Sequence, residues 1–586
     1  MSGFALLLRT DGAVADPNLV AKVTERLRNP GRDGEVCWQM GPIAVRVRQI
    51  HATPEAADAP FPAPSSCGRY SVLWDGRLDN RDDLLQWLEA RGRTHQRDVD
   101  DGRIAADLFA EAGVACFSRM LGDFAVAVWD NLDQTLTCAR DPVGARPFYY
   151  THQAGFFAIA SEDEALTALP GVSSEWHLDR QIYALNPWFS AFDWSQSWSR
   201  DVRILMPGWW LKIGVNGKFD HLQYWKWEPG EPARFASDEE ALEAFAEALE
   251  RAVAARTRGL DRIGVVCSGG IDSATVAVGA SRVAAGRRIW QYSTLRDDTD
   301  TCIESNCIRS IAASLGTEQR FFYVPSFTGV CSRADVENYY QVRHPTDDSI
   351  SLVGMMCLAA ARDGHRVALH GVSGDLALWA PDDYLVQFAR ERGWRAAWRE
   401  SALAQKNHTY IAGRSRALSW LRSLYEEFAP PTIKTAWRKA RWARAIEFPS
   451  ASPLHPARTS SPGQIALRQL SHERARLQHC HSQQYRSVQS HVDVISPIGI
   501  VRGLEGYQRV ASRYGLELRD PLSDRQILSF CLTIAMSLKT NAGWTKWPLR
   551  RYCLRSLPAS VSWNQSKDHL GWLVAFPYLD SGPLSA

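Results

Sequence analysis

Two rhythms of apolar residues divide the chain. Up to about residue 215, short apolar runs recur with turn residues between them: Phe4–Leu8, YSVLWDGRL at 70–78, DFAVAVWD at 123–130 and GFFAIASE at 155–162. Runs of this length bounded by turn formers predict strands. A helical patch at 104–112 interrupts them, so this part is predicted to be an α+β arrangement of layered sheets. Beyond residue 260 the rhythm changes. RIGVVC (262–267), RIWQYS (288–293), QRFFYV (319–324) and RVALHG (366–371) alternate with helical segments. That alternation predicts a parallel, doubly wound sheet with ligands at the carboxyl ends of its strands. Between the two parts, KWEPGEPARFASD (226–238) is rich in Pro, Gly and Glu and reads as a linker. Ser237 and Glu240 then form a capping box, and Leu242, Phe245, Leu249 and Val253 recur on one helical face. The expected organisation is a first domain over 1–215, a linker over 216–236 and a second domain over 237–586.

Residues 385–490 break the second rhythm. They are helical, basic and rich in tryptophan, and a Ser/Pro-rich stretch at 449–463 reads as an exposed loop. Interleaved basic and aromatic residues can suit nucleic acid, but the favoured reading is an amphipathic helical insert with solvated Arg and Lys. A docking surface for a peptide or partner protein comes second. Composition adds little pull of its own. A net charge of +2 over 586 residues implies no attraction to nucleic acid or acidic membrane. Phe4–Leu8 ends at Arg9, is far too short to span a bilayer, and lacks the flanks of a signal peptide. It reads as a strand entering a core, in a cytoplasmic protein. The 12 cysteines contain no CxxC pair and are expected to be reduced, mostly buried thiols. His479, His481 and His491 cluster loosely, without the cysteine or carboxylate ligands at set spacing that a metal set needs.

The strongest chemical signal is Ser268-Gly269-Gly270-Ile271-Asp272-Ser273, which follows an apolar strand and opens a helix of small residues. Two glycines allow close backbone approach, and amides of the loop and helix start point at an anion. Ser268 and Ser273 can add hydroxyl donors. Asp272 would repel phosphate, so its expected job is to hold Mg²⁺. No GxxxxGK[ST] is present, so this is not the usual P-loop. Val266 and Ser293, towards the ends of their strands, and Gly371 are further candidates for contact with ATP.

The SGGIDS loop resembles that of the ATP pyrophosphatase (PP-loop) enzymes. The rest of the chain, apart from 385–490, resembles one branch of them, the asparagine synthetase B type, which includes β-lactam synthetases and lasso peptide cyclases. DGRLDNRDDLL (75–85), MLGDFAVAVWDNLDQTLTCARDPVGARPFYY (120–150), MPGWWL and QYWKW carry the likeness in the first part. Gly371-Val372-Ser373-Gly374-Asp375-Leu376, LELRDPLSDRQIL (516–528) and KWPLRRYCLRSLPASVSWNQSKDHLGW (546–572) carry it in the second. The resemblance implies an N-terminal Ntn-hydrolase-like sandwich of the class II glutamine amidotransferase kind. It implies a C-terminal α/β PP-loop ATP pyrophosphatase domain, here with a helical insert. It gives Asp375 a second Mg²⁺-binding role beside Asp272, Glu517 an acidic active-site position, and Lys567 the lysine that steadies negative charge as an acyl-adenylate reacts. ATP and Mg²⁺ are the implied cofactors, and the implied chemistry is attack of a carboxylate on the α-phosphorus of ATP, with pyrophosphate and then AMP released.

Departures from the family pattern bear on the amine. Ser2 stands where the family has its cysteine nucleophile, Asp75 where it has an oxyanion-hole asparagine, and Arg77 where it has the acid for the glutamine ammonium group. A carboxylate repels a developing oxyanion. Together the three changes argue that ammonia does not come from glutamine and that the substrate supplies its own amine. Of the two branches that work this way, the Trp- and Arg-rich insert favours a lasso peptide cyclase. Such an enzyme adenylates an Asp or Glu side chain of a precursor peptide, and the peptide's N-terminal amine closes an isopeptide macrolactam. Its expected partners are that precursor and, in the same pathway, a leader-binding protein and a leader protease. A β-lactam synthetase-like or asparagine synthetase-like small-molecule ligase is the alternative, although Val372 lacks the acid–base group either would carry there. A non-catalytic assembly subunit is the alternative from another class, and the retained SGGIDS, Asp375, Glu517 and Lys567 argue against it.

Overall fold

The computed structural model describes residues 2–177, 195–341, 350–380, 384–407 and 497–565, with shorter stretches within 420–433, 491–495 and 570–574. Most of the 408–490 segment, including 449–463, His479 and His481, lies outside the described residues, as does Lys567.

In the first domain the described strands form two antiparallel sheets. One comprises β1 (Gly3–Arg9), β2 (Glu35–Met40), β3 (Ile43–Arg48), β8 (Tyr149–Gln153), β9 (Phe156–Ala160) and β10 (Arg203–Ile204), in the order β10-β8-β9-β1-β3-β2. The other comprises β4 (Ala63–Pro64), β5 (Tyr70–Leu78), β6 (Gly122–Asp130), β7 (Thr135–Arg140), β11 (Trp209–Gly214) and β12 (Phe219–Gln223), in the order β12-β11-β7-β6-β5-β4. The alternation of β1 explains the layering. Phe4, Leu6 and Leu8 pack with Leu73, Ala125, Ala127 and Trp129 between the sheets. Ala5 and Leu7 face Val20 and Val23 of the helix at Pro17–Glu25. On the far side, Val72, Val126 and Val128 meet Ile104 and Leu108 of the helix at Asp101–Ala112. Sheets pack face to face with a helical layer outside each. The strand expected at Phe4–Leu8 is there, buried on both faces. β12 pairs with β11 from Trp209↔Gln223 to Ile213↔Phe219, so the first domain runs past residue 215 into the span expected to be linker.

The helix Asp238–Arg256 opens the second domain. Ser237 caps it by accepting from the Glu240 amide at 3.1 Å, and Glu240 reaches back to the amide of Ala236 rather than of Ser237. Its expected apolar face is buried. The sheet comprises β13 (Arg262–Val266), β14 (Arg288–Arg296), β15 (Glu318–Val324), β16 (Thr328–Gly329), β17 (Val367–Leu369) and β18 (Glu517–Arg519), ordered β16-β15-β14-β13-β17-β18. All neighbours are parallel except β15 and β16. The chain leaves β13 for β14 on one side and returns to β17 on the other. That reversal is a topological switch point, the place where such sheets bind ligands.

The two domains meet through buried charge. Glu517 is 2% exposed and lies between Arg146 Nη2 of the first domain at 2.8 Å and Arg519 Nε at 2.6 Å. Arg519 also donates to the carbonyls of Ala52 and Arg256, both at 2.7 Å. Arg256 faces Asp524 at 2.9 Å and, across the interface, Asp79 and Asp123 at 3.6 and 3.7 Å. Glu505 of the helix Pro497–Ser512 receives Arg140 at 2.8 Å and the Tyr149 hydroxyl at 3.3 Å.

Arg146→Ala strips one guanidinium from this cluster. It should lower the unfolding free energy by about 3–5 kcal/mol, the usual cost of breaking a buried pair, read from denaturant midpoints. Acid should act in one direction. Burial alone would raise the Glu517 pKa, but Arg146, Arg519 and Arg77 hold it well below the glutamate range. Its ionised form therefore stabilises the fold above the unfolded value of about 4.3, and that contribution is lost as pH falls through the depressed folded value. Arg146→Ala should show a smaller acid-induced loss of stability than the wild type.

Candidate functional site

The loop after β13 and the loop after β17 flank the switch point. Val266 ends β13, Ser268–Gly270 form the turn, and the helix Ile271–Val283 starts on Ile271. Gly269 has a φ of +76°, and a Cβ there would lie 2.8 Å from the Glu304 carbonyl oxygen, so the turn demands glycine. The hydroxyls expected to face phosphate are partly spent on the loop. Ser273 Oγ donates to the Gly270 carbonyl at 3.0 Å and accepts from the Ser268 amide at 3.1 Å. Ser268 Oγ lies 3.2 Å from Ser273 Oγ. Ser293 sits inside β14 and donates to the Cys267 carbonyl at 2.6 Å. Ser273 and Ser293 thus shape the loop from beneath.

The second loop closes onto the first. A Cβ on Gly371 would lie 2.6 Å from the Asp272 carbonyl oxygen, and one on Gly374 only 2.4 Å from the Asp272 carboxylate. Only bare backbone fits there. Asp520 holds this loop in place: its carboxylate accepts the Ser373 amide at 2.8 Å and the Leu522 amide at 2.9 Å. The result brings Asp272 and Asp375 onto one cation, Lys546, whose Nζ is 2.6 Å from each carboxylate. Burial alone would lower the Lys546 pKa, but the two carboxylates hold it above its ordinary value. Asp272 is 13% exposed and Asp375 77% exposed, so the pair is open on one side. Two carboxylates converging on a single positive charge, beside a glycine turn that opens a helix, suit a divalent cation held for a phosphate ligand. Lys546 was not among the residues singled out from the sequence, although it heads KWPLRRYCLRS, where it has a φ of +56°.

Other expected residues fall elsewhere. Gly264 pairs with Ala368, and Ala368 with Leu518. Glu517 therefore enters β18 five positions before the level of Ser268, about 16 Å along the strand direction. It belongs to the interdomain cluster and is not brought together with Asp272 and Asp375. His491 acts as a strut. Its Nε2 lies 2.8 Å from the Leu376 carbonyl and its Nδ1 3.0 Å from Lys539 Nζ. Burial and Lys539 push its pKa down to about 3, so the neutral ring accepts from the lysine and donates to the carbonyl. Among the described residues there is no cluster of three or more His, Cys, Asp or Glu that could hold a metal.

In the first domain, the amide of Ser2 donates to Asp75 at 2.8 Å and the Ser2 hydroxyl accepts from the Ile50 amide at 3.2 Å. Arg77 is fully buried between Asp79, at 2.6 and 2.9 Å, and Asp123 at 3.0 Å. Every one of the three changed positions is thus engaged inside the fold.

Gly374→Ala should force the second loop off Asp272. Overpacking of this kind costs about 1–3 kcal/mol, to be read from denaturant unfolding, and the same variant should bind ATP at least tenfold more weakly by calorimetry.

The family model described as a glutamine amidotransferase domain matches residues 1–225, and the one described as asparagine synthase matches residues 244–579. Asparagine synthetase 3 of Bacillus subtilis (strain 168), a glutamine-hydrolyzing enzyme by its name, is 27% identical over 179 residues, 30% of this chain and 29% of that one. Putative asparagine synthetase 1 of Methanocaldococcus jannaschii is 28% identical over 229 residues, 38% of this chain and 37% of that one. Carboxyethyl-arginine beta-lactam-synthase of Streptomyces clavuligerus is 26% identical over 377 residues, 64% of this chain and 67% of that one. The chain spans about a third of the length of the first two relatives. No described helix is long and apolar enough to cross a membrane. With the asparagine synthase model covering more than half of its length, the chain belongs to the asparagine synthetase family.

Proposed function

We propose that the chain is an ATP-dependent, AMP-forming amide ligase that closes a carboxylate of its substrate onto an amine of the same molecule, and that the molecule is a peptide, as in a lasso peptide cyclase. One contrast carries this reading. The loops that present Asp272, Asp375 and Lys546 at the switch point are assembled, while Arg77 of the first domain is locked between Asp79 and Asp123. A buried guanidinium there opposes recognition of the glutamine ammonium group, and Asp75 opposes an oxyanion. The activation half of the reaction keeps its groups, and the half that frees ammonia from glutamine does not.

In the proposed reaction a carboxylate oxygen of the substrate attacks the α-phosphorus of ATP and pyrophosphate leaves. The Gly270 amide and the start of the helix at Ile271 receive the phosphates. Asp272 and Asp375 would hold Mg²⁺, which supplies charge neutralisation for the leaving pyrophosphate. Lys546 neutralises the same carboxylates from the protein side and can turn towards phosphate. The amine then attacks the mixed anhydride, with the folded substrate presenting it at high effective molarity. The precursor peptide, with a leader-binding protein and a leader protease in the same pathway, completes the proposal. Lys567 is the proposed lysine steadying charge in the second step.

The similarity to carboxyethyl-arginine beta-lactam-synthase, which extends over two thirds of that protein, favours a second reading in which the substrate is a small amino-acid derivative. Both readings are tested together. The full chain is incubated with ATP, Mg²⁺ and either synthetic peptides bearing a free amino terminus and one internal Asp or Glu, or carboxyethyl-arginine. Loss of one water from the peptide, with AMP and pyrophosphate formed, supports the first reading, and the same loss from carboxyethyl-arginine the second. Asp272→Ala and Asp375→Ala should each abolish pyrophosphate release, while Ser2→Ala should leave it at the wild-type rate. Amide formation that uses glutamine as the nitrogen donor and is lost in Ser2→Ala would overturn both readings.

A further inference from the structure

Around the switch point, most titratable groups of the described residues are committed. Asp272 and Asp375 meet Lys546, Asp520 accepts two amides, and His491 is bonded at both nitrogens. His370 differs. It directly follows β17 and directly precedes Gly371, and it is 4% exposed. Its ring stacks on Tyr507 of the helix Pro497–Ser512, with centroids 5.2 Å apart and planes 10° from parallel. Neither Nδ1 nor Nε2 has a hydrogen-bond partner. Its backbone amide donates to the Arg519 carbonyl at 3.0 Å, which fixes the residue between β17 and β18.

A buried polar group left unmet is costly, and such groups in native folds mark a missing ligand, water or catalytic role. The charged and titratable groups around His370 come from four elements. Tyr507 stacks on it, Asp520 follows β18, Arg256 ends the helix Asp238–Arg256, and Asp123 reaches from β6. Burial holds the imidazole below its ordinary range against the pull of Asp520 and Asp123. It is therefore neutral near pH 7, with one lone pair able to take a proton. The proposed ligation needs such a group. Val372, at the family's acid–base position, cannot take a proton, and Glu517 is too weak a base between its arginines.

We propose that His370 is the general base for the amide-forming step. This rests on the ligation reading above. As the amine nitrogen bonds to the acyl carbon, the bond from that carbon to the AMP oxygen breaks and its electron pair leaves with AMP. A proton of the amine nitrogen passes to a ring nitrogen of His370 and from there to water.

The two steps can be read apart in the full chain. Exchange of labelled pyrophosphate into ATP, driven by a synthetic peptide with a free amino terminus and one internal Asp or Glu, reports adenylation. Loss of water from that peptide reports closure. In His370→Asn and His370→Gln, exchange should stay within about twofold of wild type, while closure falls by about 10²–10³-fold. Hydroxylamine, uncharged at neutral pH, should still trap the acyl group as a hydroxamate in both variants. The pH–rate profile of closure should lose its acid-side limb. Closure at the wild-type rate in both variants, or exchange falling in step with closure, overturns the assignment. A wild-type chain that supports neither exchange nor closure with the peptides or with carboxyethyl-arginine overturns the ligation reading itself.

Discussion

Glu517 sits between two guanidinium groups that belong to different domains, and the geometry of the switch point hangs on that contact. Arg146 reaches it from the amidotransferase-like domain and Arg519 from the same strand. Together they pin the short strand β18 at the edge of the sheet. The next residue, Asp520, is thereby placed to take the amide of Ser373, and the loop that carries Asp375 is drawn over Asp272. A two-residue shift of β18 would leave the Ser373 amide without its acceptor and Asp375 without its seat. A buried ion pair is weak evidence of stability in general, because desolvation offsets much of the attraction. Here it works as a register pin.

What could be read from the chain was local. The SGGIDS turn needs only its own residues to be recognisable: two glycines, a helix start and an aspartate that cannot face phosphate alone. The strands of the second domain were legible because both faces are covered, which makes their apolar runs nearly continuous. The apolar run at Phe4–Leu8 was legible for the same reason. β12 was not, because it is an edge strand of mixed polarity, FDHLQ, largely open to solvent, with no apolar run to mark it.

The parts that escaped reading depend on contacts across long sequence distances. Glu517 lies in a stretch that resembles a family motif, but its partner Arg146 lies in another domain, and nothing near residue 517 announces it. Ser273 and Ser293 have the right chemistry to donate to phosphate, yet their protons go to the carbonyls of Gly270 and Cys267. Side-chain type does not reveal which acceptor is nearer. Lys546 opens a basic stretch in which every cation looks alike, and only the fold selects the one that meets both aspartates.

Arg256 has two of its three carboxylate neighbours, Asp79 and Asp123, on the amidotransferase-like domain. Divide the chain at the linker and the synthetase half keeps a guanidinium built for an interior, with Asp524 alone to face it. The amidotransferase-like domain therefore forms part of the wall that closes its neighbour's interior, whatever chemistry it carries out on its own account.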